Sequence, residues 1–168
     1  MNTIESKDLI LKDTRKDILI NDIVLIAPNN TTITSFNDLT TYKAKQIALG
    51  EPKSVPAGQY AEEVFTKLGI LGKIKTKAVY AKDVKEVLTW VETGNVDAGV
   101  VYATDAKVSN KVKVVATAPS DSHKSVVYPA SVIKSSKNGD AAKDFMNFLI
   151  SDKAKATFEK YGFKVNTK

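Results

Sequence analysis

The segment of residues 49–60 carries the most suggestive chemistry in this sequence, because two prolines and two glycines separate an apolar run from a helical pattern. The first amides of that helix, those of Ala57 and Gly58, have no intrahelical carbonyl to bind and lie at the positive end of the helix dipole. Such a helix start is a ready site for an anion. The alternative is that the Pro-Ala-Gly sequence only forms a tight turn, and the spacing leaves both interpretations open.

A second loop and the end of another apolar run offer two further groups. The loop of residues 80–84 opens a helix at Val84, and the apolar run 98–102 ends with the phenol of Tyr102. Two helix starts and one hydroxyl, if brought together, would bind a small oxyanion without any formal positive charge. The alternatives from spacing alone are core packing for Val84 and a half-buried aromatic position on a strand for Tyr102.

The composition argues against enzymes and metal centres. The 168 residues include no cysteine and one histidine, which excludes thiolate sites, cysteine nucleophiles and multi-histidine cages. His123 follows Asp121 and Ser122 in a polar loop, where adjacent residues do not form a catalytic triad, and we expect it to be exposed. We therefore predict no catalytic residue, no protein–metal ligand and no cofactor.

The charge pattern argues against nucleic-acid binding. The net charge is +6, but the lysines are dispersed from Lys7 to Lys168 among acidic residues, and the only arginine is Arg15. A nucleic-acid surface requires clustered basic residues with interleaved aromatics. No apolar run reaches the ~18 residues of a membrane span, and residues 1–8 lack the pattern of a signal peptide.

The elements that must position these groups can be read from the apolar periodicity. Continuous apolar runs predict strands that are covered on both faces; they lie at 23–27, 46–49, 77–80, 98–102, 112–116 and 126–133. Helical patterns lie between several of these runs, which indicates an α/β fold with a largely parallel sheet. Ligands of such sheets bind at the carboxyl ends of the strands.

The predicted helices have marked beginnings and ends. Pro56 and Gly69 bound the first helix, and Asp83 and Gly94 bound the second, with Asp83 and Glu86 resembling a capping box. Two further helices are predicted near the C-terminus, the first with an apolar face and the second capped by Ser151; that face consists of Ala142, Phe145, Phe148 and Leu149.

Several strings in the sequence form a pattern when they occur together. They are Ala-Leu-Gly-Glu-Pro-Lys-Ser-Val-Pro-Ala-Gly-Gln-Tyr-Ala at 48–61, Lys-Asp-Val at 82–84, Gly-Val-Val-Tyr-Ala-Thr-Asp-Ala at 99–106, Lys-Val-Val-Ala-Thr-Ala-Pro at 113–119, Val-Tyr-Pro at 127–129 and Phe-Glu-Lys-Tyr-Gly-Phe at 158–163. With this pattern, the sequence resembles the molybdate-binding receptors of ABC transporters from about residue 14 to residue 163.

The resemblance implies a two-lobed α/β fold of the periplasmic binding protein type II class. Residues 27–126 would form a complete second lobe, and residues 1–26 and 127–168 the remnant of an incomplete first lobe. The serine-bearing strands that complete the family's site have no counterpart here, so we expect half of an oxyanion site and weak binding. An uncovered apolar face at Phe145, Phe148 and Leu149 would favour self-association.

The resemblance also implies roles for individual residues. Ala57 and Val84 would donate their backbone amides, and Tyr102 its phenol hydroxyl, to molybdate or tungstate. The partner would be a membrane permease, and the location extracytoplasmic, either periplasmic or anchored at the cell surface. Two alternatives remain open: the ligand-sensing domain of a transcription regulator with the same fold, and an enzyme built on this architecture.

Overall fold

The chain divides into two units in this computed structural model, which describes residues 1–166. Asp22–Ser125 form the central unit, and Met1–Asn21 together with the residues from Val126 onward form the terminal unit. In chain order the elements are α1 (Asn2–Ser6), β1 (Lys16–Asn21), β2 (Ile23–Pro28), β3 (Ile47–Gly50), α2 (Pro56–Lys67), α3 (Leu71–Lys75), β4 (Ala78–Ala81), α4 (Val84–Glu92), β5 (Ala98–Tyr102), α5 (Ala103–Lys107), β6 (Val112–Thr117), β7 (Val126–Ala130), α6 (Gly139–Leu149), α7 (Asp152–Lys160) and β8 (Lys164–Val165). Short 3-10 helices lie at Lys12–Thr14 and Asn37–Thr40.

The central unit contains a five-stranded sheet in the order β4-β3-β5-β2-β6. β3 runs parallel to both β4 and β5, whereas β2 is antiparallel to β5 and β6. The prediction of a largely parallel sheet is therefore wrong for the pairs that involve β2, since an apolar run contains no signal for strand direction. The three inner strands are buried almost throughout, but the edge strands β4 and β6 are partly exposed.

Two helices cover the central sheet where the sequence places them. α2 begins with Pro56 as its first residue, and α4 begins after Asp83, whose carboxylate accepts a hydrogen bond from the Glu86 N–H at 2.8 Å. Both helices end before a glycine with a positive φ of about 70°, at Gly69 and Gly94, which confirms the predicted ends. Each helix buries an apolar face, with Val64 and Phe65 on α2 and Val87 and Val91 on α4. Because this packing fixes the first residue of each helix, it also fixes the end of the loop that precedes it.

The terminal unit contains a three-stranded antiparallel sheet in the order β7-β1-β8. The strand predicted at 126–133 ends at Ala130, and β1 was not predicted because it begins with the exposed Lys16 and Asp17. The two predicted C-terminal helices are present as α6 and α7, and Ser151 caps α7. α6 packs in the cluster of Ile18 and Val132 through Met146, and α7 packs against the same cluster through Phe158.

The predicted apolar face of α6 divides into two parts. Ala142 and Leu149 pack against the core of the terminal unit. Phe145 and Phe148 are 59% and 46% exposed, and their rings stack on each other with centroids 6.2 Å apart. Two aromatic side chains on α6 therefore stay in contact with solvent within the described chain.

Candidate anion-binding site

Three neighbouring parallel strands bring the predicted site residues to one edge of the central sheet. Gly50 at the end of β3 pairs with Ala81 at the end of β4, and Ala48 pairs with Gly99 of β5. The carboxyl ends of the three strands consequently share one edge. Ala57 follows β3, Val84 follows β4, and Tyr102 ends β5.

The start of α2 leaves a single amide without an acceptor. Pro56 has no N–H, and the N–H groups of Gly58 and Gln59 both donate to the carbonyl of Val55, at 2.9 and 3.4 Å. No described residue accepts a hydrogen bond from the Ala57 N–H, and Val55 provides no side-chain cap. The prediction of two free amides is therefore correct for Ala57 and wrong for Gly58, because the first turn closes tightly on Val55.

The burial of Ala57 makes its amide unusual. The residue is 1% exposed, and nearly all buried backbone N–H groups in proteins have a partner in the chain, in ordered water or in a ligand. An amide at a helix start, without a side-chain cap, is placed to donate to an anion.

The start of α4 shows a similar arrangement with more acidic surroundings. Asp83 caps the Glu86 N–H, and the Glu86 carboxylate accepts a hydrogen bond from the Lys82 N–H at 2.9 Å. Among the described residues, no acceptor binds the N–H of Val84 or Lys85. The side chain of Val84 packs against the core of the central unit, so core packing of its side chain and an available amide occur together.

Tyr102 occupies the junction between β5 and α5. It is half-buried, pairs with Ile23 of β2 and precedes the first residue of α5. Asp105 lies in the first turn of that helix, where burial raises the pKa of its carboxyl group and a hydrogen bond with the Tyr102 backbone opposes the rise. A partly buried carboxyl group therefore stands close to this edge of the sheet.

The polar loop around His123 does not form a catalytic group. The Ser122 hydroxyl donates to the Pro119 carbonyl at 2.6 Å, and Asp121 forms an ion pair with Lys67 at 3.4 Å. His123 is half-buried and packs edge-to-face on Tyr60 with ring centroids 5.7 Å apart, so the expectation that it is exposed is wrong. The loop is held on α2 because Glu63 accepts a hydrogen bond from the Lys124 N–H.

Residues 1–166 contain no cluster of metal ligands and no helix able to cross a bilayer. In that part of the chain, no group of three or more histidine, cysteine, aspartate or glutamate side chains is arranged to hold a metal ion. No helix there combines the length and the apolar character that a bilayer crossing demands.

One feature of the site, a contact between two backbones, was not predicted from the sequence. The end of β3 at Gly50 touches the first turn of α2 at Gly58. Both glycines were visible as turn residues, but nothing in their spacing shows that they meet. The one sequence feature that could have suggested a close backbone approach is the occurrence of two glycines in one loop, with Pro52 and Pro56 between them.

Comparison with known proteins decides the family. Residues 1–164 match the family described as bacterial extracellular solute-binding protein. The chain belongs to this family. The match confirms the resemblance predicted from the strings of the sequence, and the function of the family agrees with the prediction of binding instead of catalysis.

Individual relatives are similar over most of this chain. It is 49% identical over 162 residues to YvgL of Bacillus subtilis, which is assigned as a substrate-binding lipoprotein of an ABC transporter, with 95% of this chain and 61% of the relative covered. It is 44% identical to the molybdate-binding protein ModA of Haemophilus influenzae, with 97% of this chain and 66% of the relative covered. The chain thus spans slightly less than two thirds of the length of these relatives.

A solved structure shows the same fold. The substrate-binding domain assigned to a molybdenum ABC transporter of Clostridium difficile superposes with a TM-score of 0.92 at 48% identity, covering 98% of this chain and 72% of that one. This superposition confirms the predicted α/β fold of the periplasmic binding protein class.

Proposed function

We propose that this chain binds a tetrahedral oxyanion, with molybdate or tungstate as the ligand, as the solute-binding component of an ABC uptake system. The observation that carries the proposal is the buried Ala57 amide, which has no acceptor among the described residues. The Val84 amide and Tyr102 lie at the same edge of the sheet. Relatives named for molybdate binding support the choice of ligand.

The proposed donors are two amides and one phenol, all of them neutral. Neutral donors do not titrate near neutral pH, so we expect affinity to vary little between pH 6 and pH 8. Selectivity against sulfate would come from size, because rigid donors spaced for a larger anion leave a smaller one with longer hydrogen bonds.

The affinity of these three donors alone can be estimated. A hydrogen bond to a charged acceptor contributes about 1.5 to 3 kcal/mol, so three bonds at the lower value give about 4.5 kcal/mol. That free energy corresponds to a dissociation constant of roughly 0.5 mM. We therefore propose that this chain binds molybdate weakly through the central unit.

An NMR titration with molybdate tests the proposal at this affinity. We expect the ¹H–¹⁵N signals of Ala57 and Val84 to shift most, and Tyr102→Phe to weaken binding by about tenfold through loss of one hydrogen bond. Tyr42→Phe is the matched control, since it removes the same hydroxyl from a ring that is 90% exposed elsewhere in the central unit. Shifts concentrated away from the start of α2, or unchanged binding in Tyr102→Phe, would contradict the proposed site.

The partner and the location follow from the same proposal. A solute-binding component delivers its ligand to a membrane permease, and an extracytoplasmic location, periplasmic or anchored at the cell surface, is supported by the family's description as extracellular. Self-association of this chain stays a prediction, supported by the exposed rings of Phe145 and Phe148.

A further inference from the structure

The contact between Gly50 and Gly58 joins the end of β3 to the first turn of α2 with no side chain between them. A methyl group at position 58 would overlap the carbonyl oxygen of Gly50 and lie 2.7 Å from its carbonyl carbon. It would also lie 3.2 Å from the backbone nitrogen of Pro52. Every close neighbour of this position is backbone, so no side-chain rotation relieves the overlap.

Other glycines of the central unit do not share this constraint. Methyl groups at Gly69, Gly72 and Gly94 would meet no atom within 4 Å. A methyl group at Gly99 would approach Val87 and Val91 at 2.8 and 2.9 Å, but these are side-chain atoms. The backbone approach at Gly58 is therefore a specific feature of the start of α2.

The loop between the two glycines is held on β4 by one hydrogen bond and by two further hydrogen bonds within the loop itself. The N–H of Glu51 donates to the carbonyl of Ala81 at the end of β4, at 2.9 Å. The carbonyl of Glu51 accepts hydrogen bonds from Ser54 and Val55 at 3.0 and 2.7 Å. With the loop fixed at these points, the Gly58 contact sets the height of the first turn above the sheet.

We infer that Gly58 is a positioning residue for the Ala57 amide, and that the absence of a side chain at position 58 determines where this amide meets an oxyanion. The inference rests on the proposed function. Moving a methyl group from 2.7 Å to an ordinary contact of 3.4 Å with the carbonyl carbon requires a shift of about 0.7 Å, and relieving the overlap with the carbonyl oxygen requires a larger one. Binding groups tolerate displacements of about 0.5 Å.

The test compares Gly58→Ala with Val64→Ala in the same helix. Val64 is fully buried on α2, so its truncation lowers stability without altering the first turn. We expect Gly58→Ala to weaken molybdate binding by at least tenfold and Val64→Ala to leave the dissociation constant within twofold. Urea unfolding of both variants measures how much stability each has lost.

A ligand-free measurement separates this inference from the proposed function. Residual dipolar couplings report the orientation of the Ala57 N–H in the wild-type chain and in Gly58→Ala. A wild-type chain that does not respond to molybdate overturns the proposed function, whereas unchanged couplings in Gly58→Ala overturn the positioning role. Equal molybdate affinity in the wild type and Gly58→Ala also overturns it.

A second variant covers the case in which Gly58→Ala does not fold. A methyl group at Gly50 would lie 2.5 Å from Cγ1 and 2.8 Å from Cβ of Val55; rotation of the Val55 side chain moves Cγ1 away, and the contact with Cβ requires a small shift of the loop. We expect Gly50→Ala to fold and to show a smaller loss of affinity in the same direction. If both glycine variants fail to fold while Val64→Ala folds, the contact serves the stability of the central unit and the inference is wrong.

Discussion

Lys77 anchors a loop of the central unit through its ammonium group. The Nζ atom donates hydrogen bonds to the carbonyl oxygens of Leu39, Thr41 and Ala44, at 2.9, 2.6 and 2.7 Å. These carbonyls belong to the 3-10 helix Asn37–Thr40 and the loop that follows it. One cation therefore satisfies three acceptors near the amino-terminal end of β4, away from the proposed site.

The change Lys77→Met removes the ammonium group and retains an unbranched side chain. Three hydrogen bonds from a charged donor would sum to about 4.5 kcal/mol at the lower value for each bond. Lys77 is half-buried, so water can replace part of this loss. We expect the free energy of unfolding to fall by about 2 to 4 kcal/mol.

Urea unfolding followed by the fluorescence of the single tryptophan, Trp90, measures this loss, because Trp90 packs against the core of the central unit. Lys75→Met is the control, since the ion pair between Lys75 and Glu62 is on the surface and contributes about 0 to 1 kcal/mol. Molybdate affinity should stay the same in both variants. A loss below about 0.5 kcal/mol in Lys77→Met would refute the argument from the three carbonyls.

The carboxyl groups of Asp38 and Asp105 give two further predictions, both on how the free energy of unfolding depends on pH. Hydrogen bonds from Lys43 and Thr34 hold the pKa of Asp38 well below its ordinary value of 3.8, so its ionised form stabilises the fold above about pH 4 and this contribution is lost at lower pH. We expect Asp38→Asn to lower the urea midpoint at pH 7 and to show a weaker decline in midpoint between pH 4 and pH 2; the same decline as wild type would contradict this. Burial raises the pKa of Asp105, so the folded state binds its proton more tightly than the unfolded state and stability falls as pH rises from the ordinary value through the raised one. We expect Asp105→Asn to lack this loss of stability, so that its urea midpoint falls less than that of the wild type between pH 4 and pH 7. The same fall in the variant and the wild type would refute the raised pKa of Asp105.

Local chemistry explains which parts of the fold could be predicted. The starts and ends of α2 and α4 depend on Pro56, Asp83, Gly69 and Gly94, whose effects act within a few residues along the chain. The inner strands have continuous apolar runs because both of their faces are covered. β1 was missed because its first residues are exposed and charged.

The candidate site could be predicted in part for the same reason. Ala57, Val84 and Tyr102 stand out as residues at helix starts and a strand end, and the structure places all three at one edge of one sheet. The Gly58 amide is not available to a ligand because it donates a hydrogen bond to the Val55 carbonyl, and this bond depends on how tightly the first turn of α2 closes on Val55. Sequence spacing contains no information on that closure.

The resemblance of the motif strings indicated the family. Capping residues and periodic burial indicated the α/β character and the positions of the main helices, because both signals lie in neighbouring residues. Three features required the folded chain to be seen: β3 lies between β4 and β5, β2 runs antiparallel to β5 and β6, and Gly58 rests on Gly50. The strand order and directions arise from contacts between residues far apart in the chain, as do the hydrogen bonds from the Lys77 ammonium group to the carbonyls of residues 39–44. Such contacts depend on the packing of the whole unit, which no local pattern specifies.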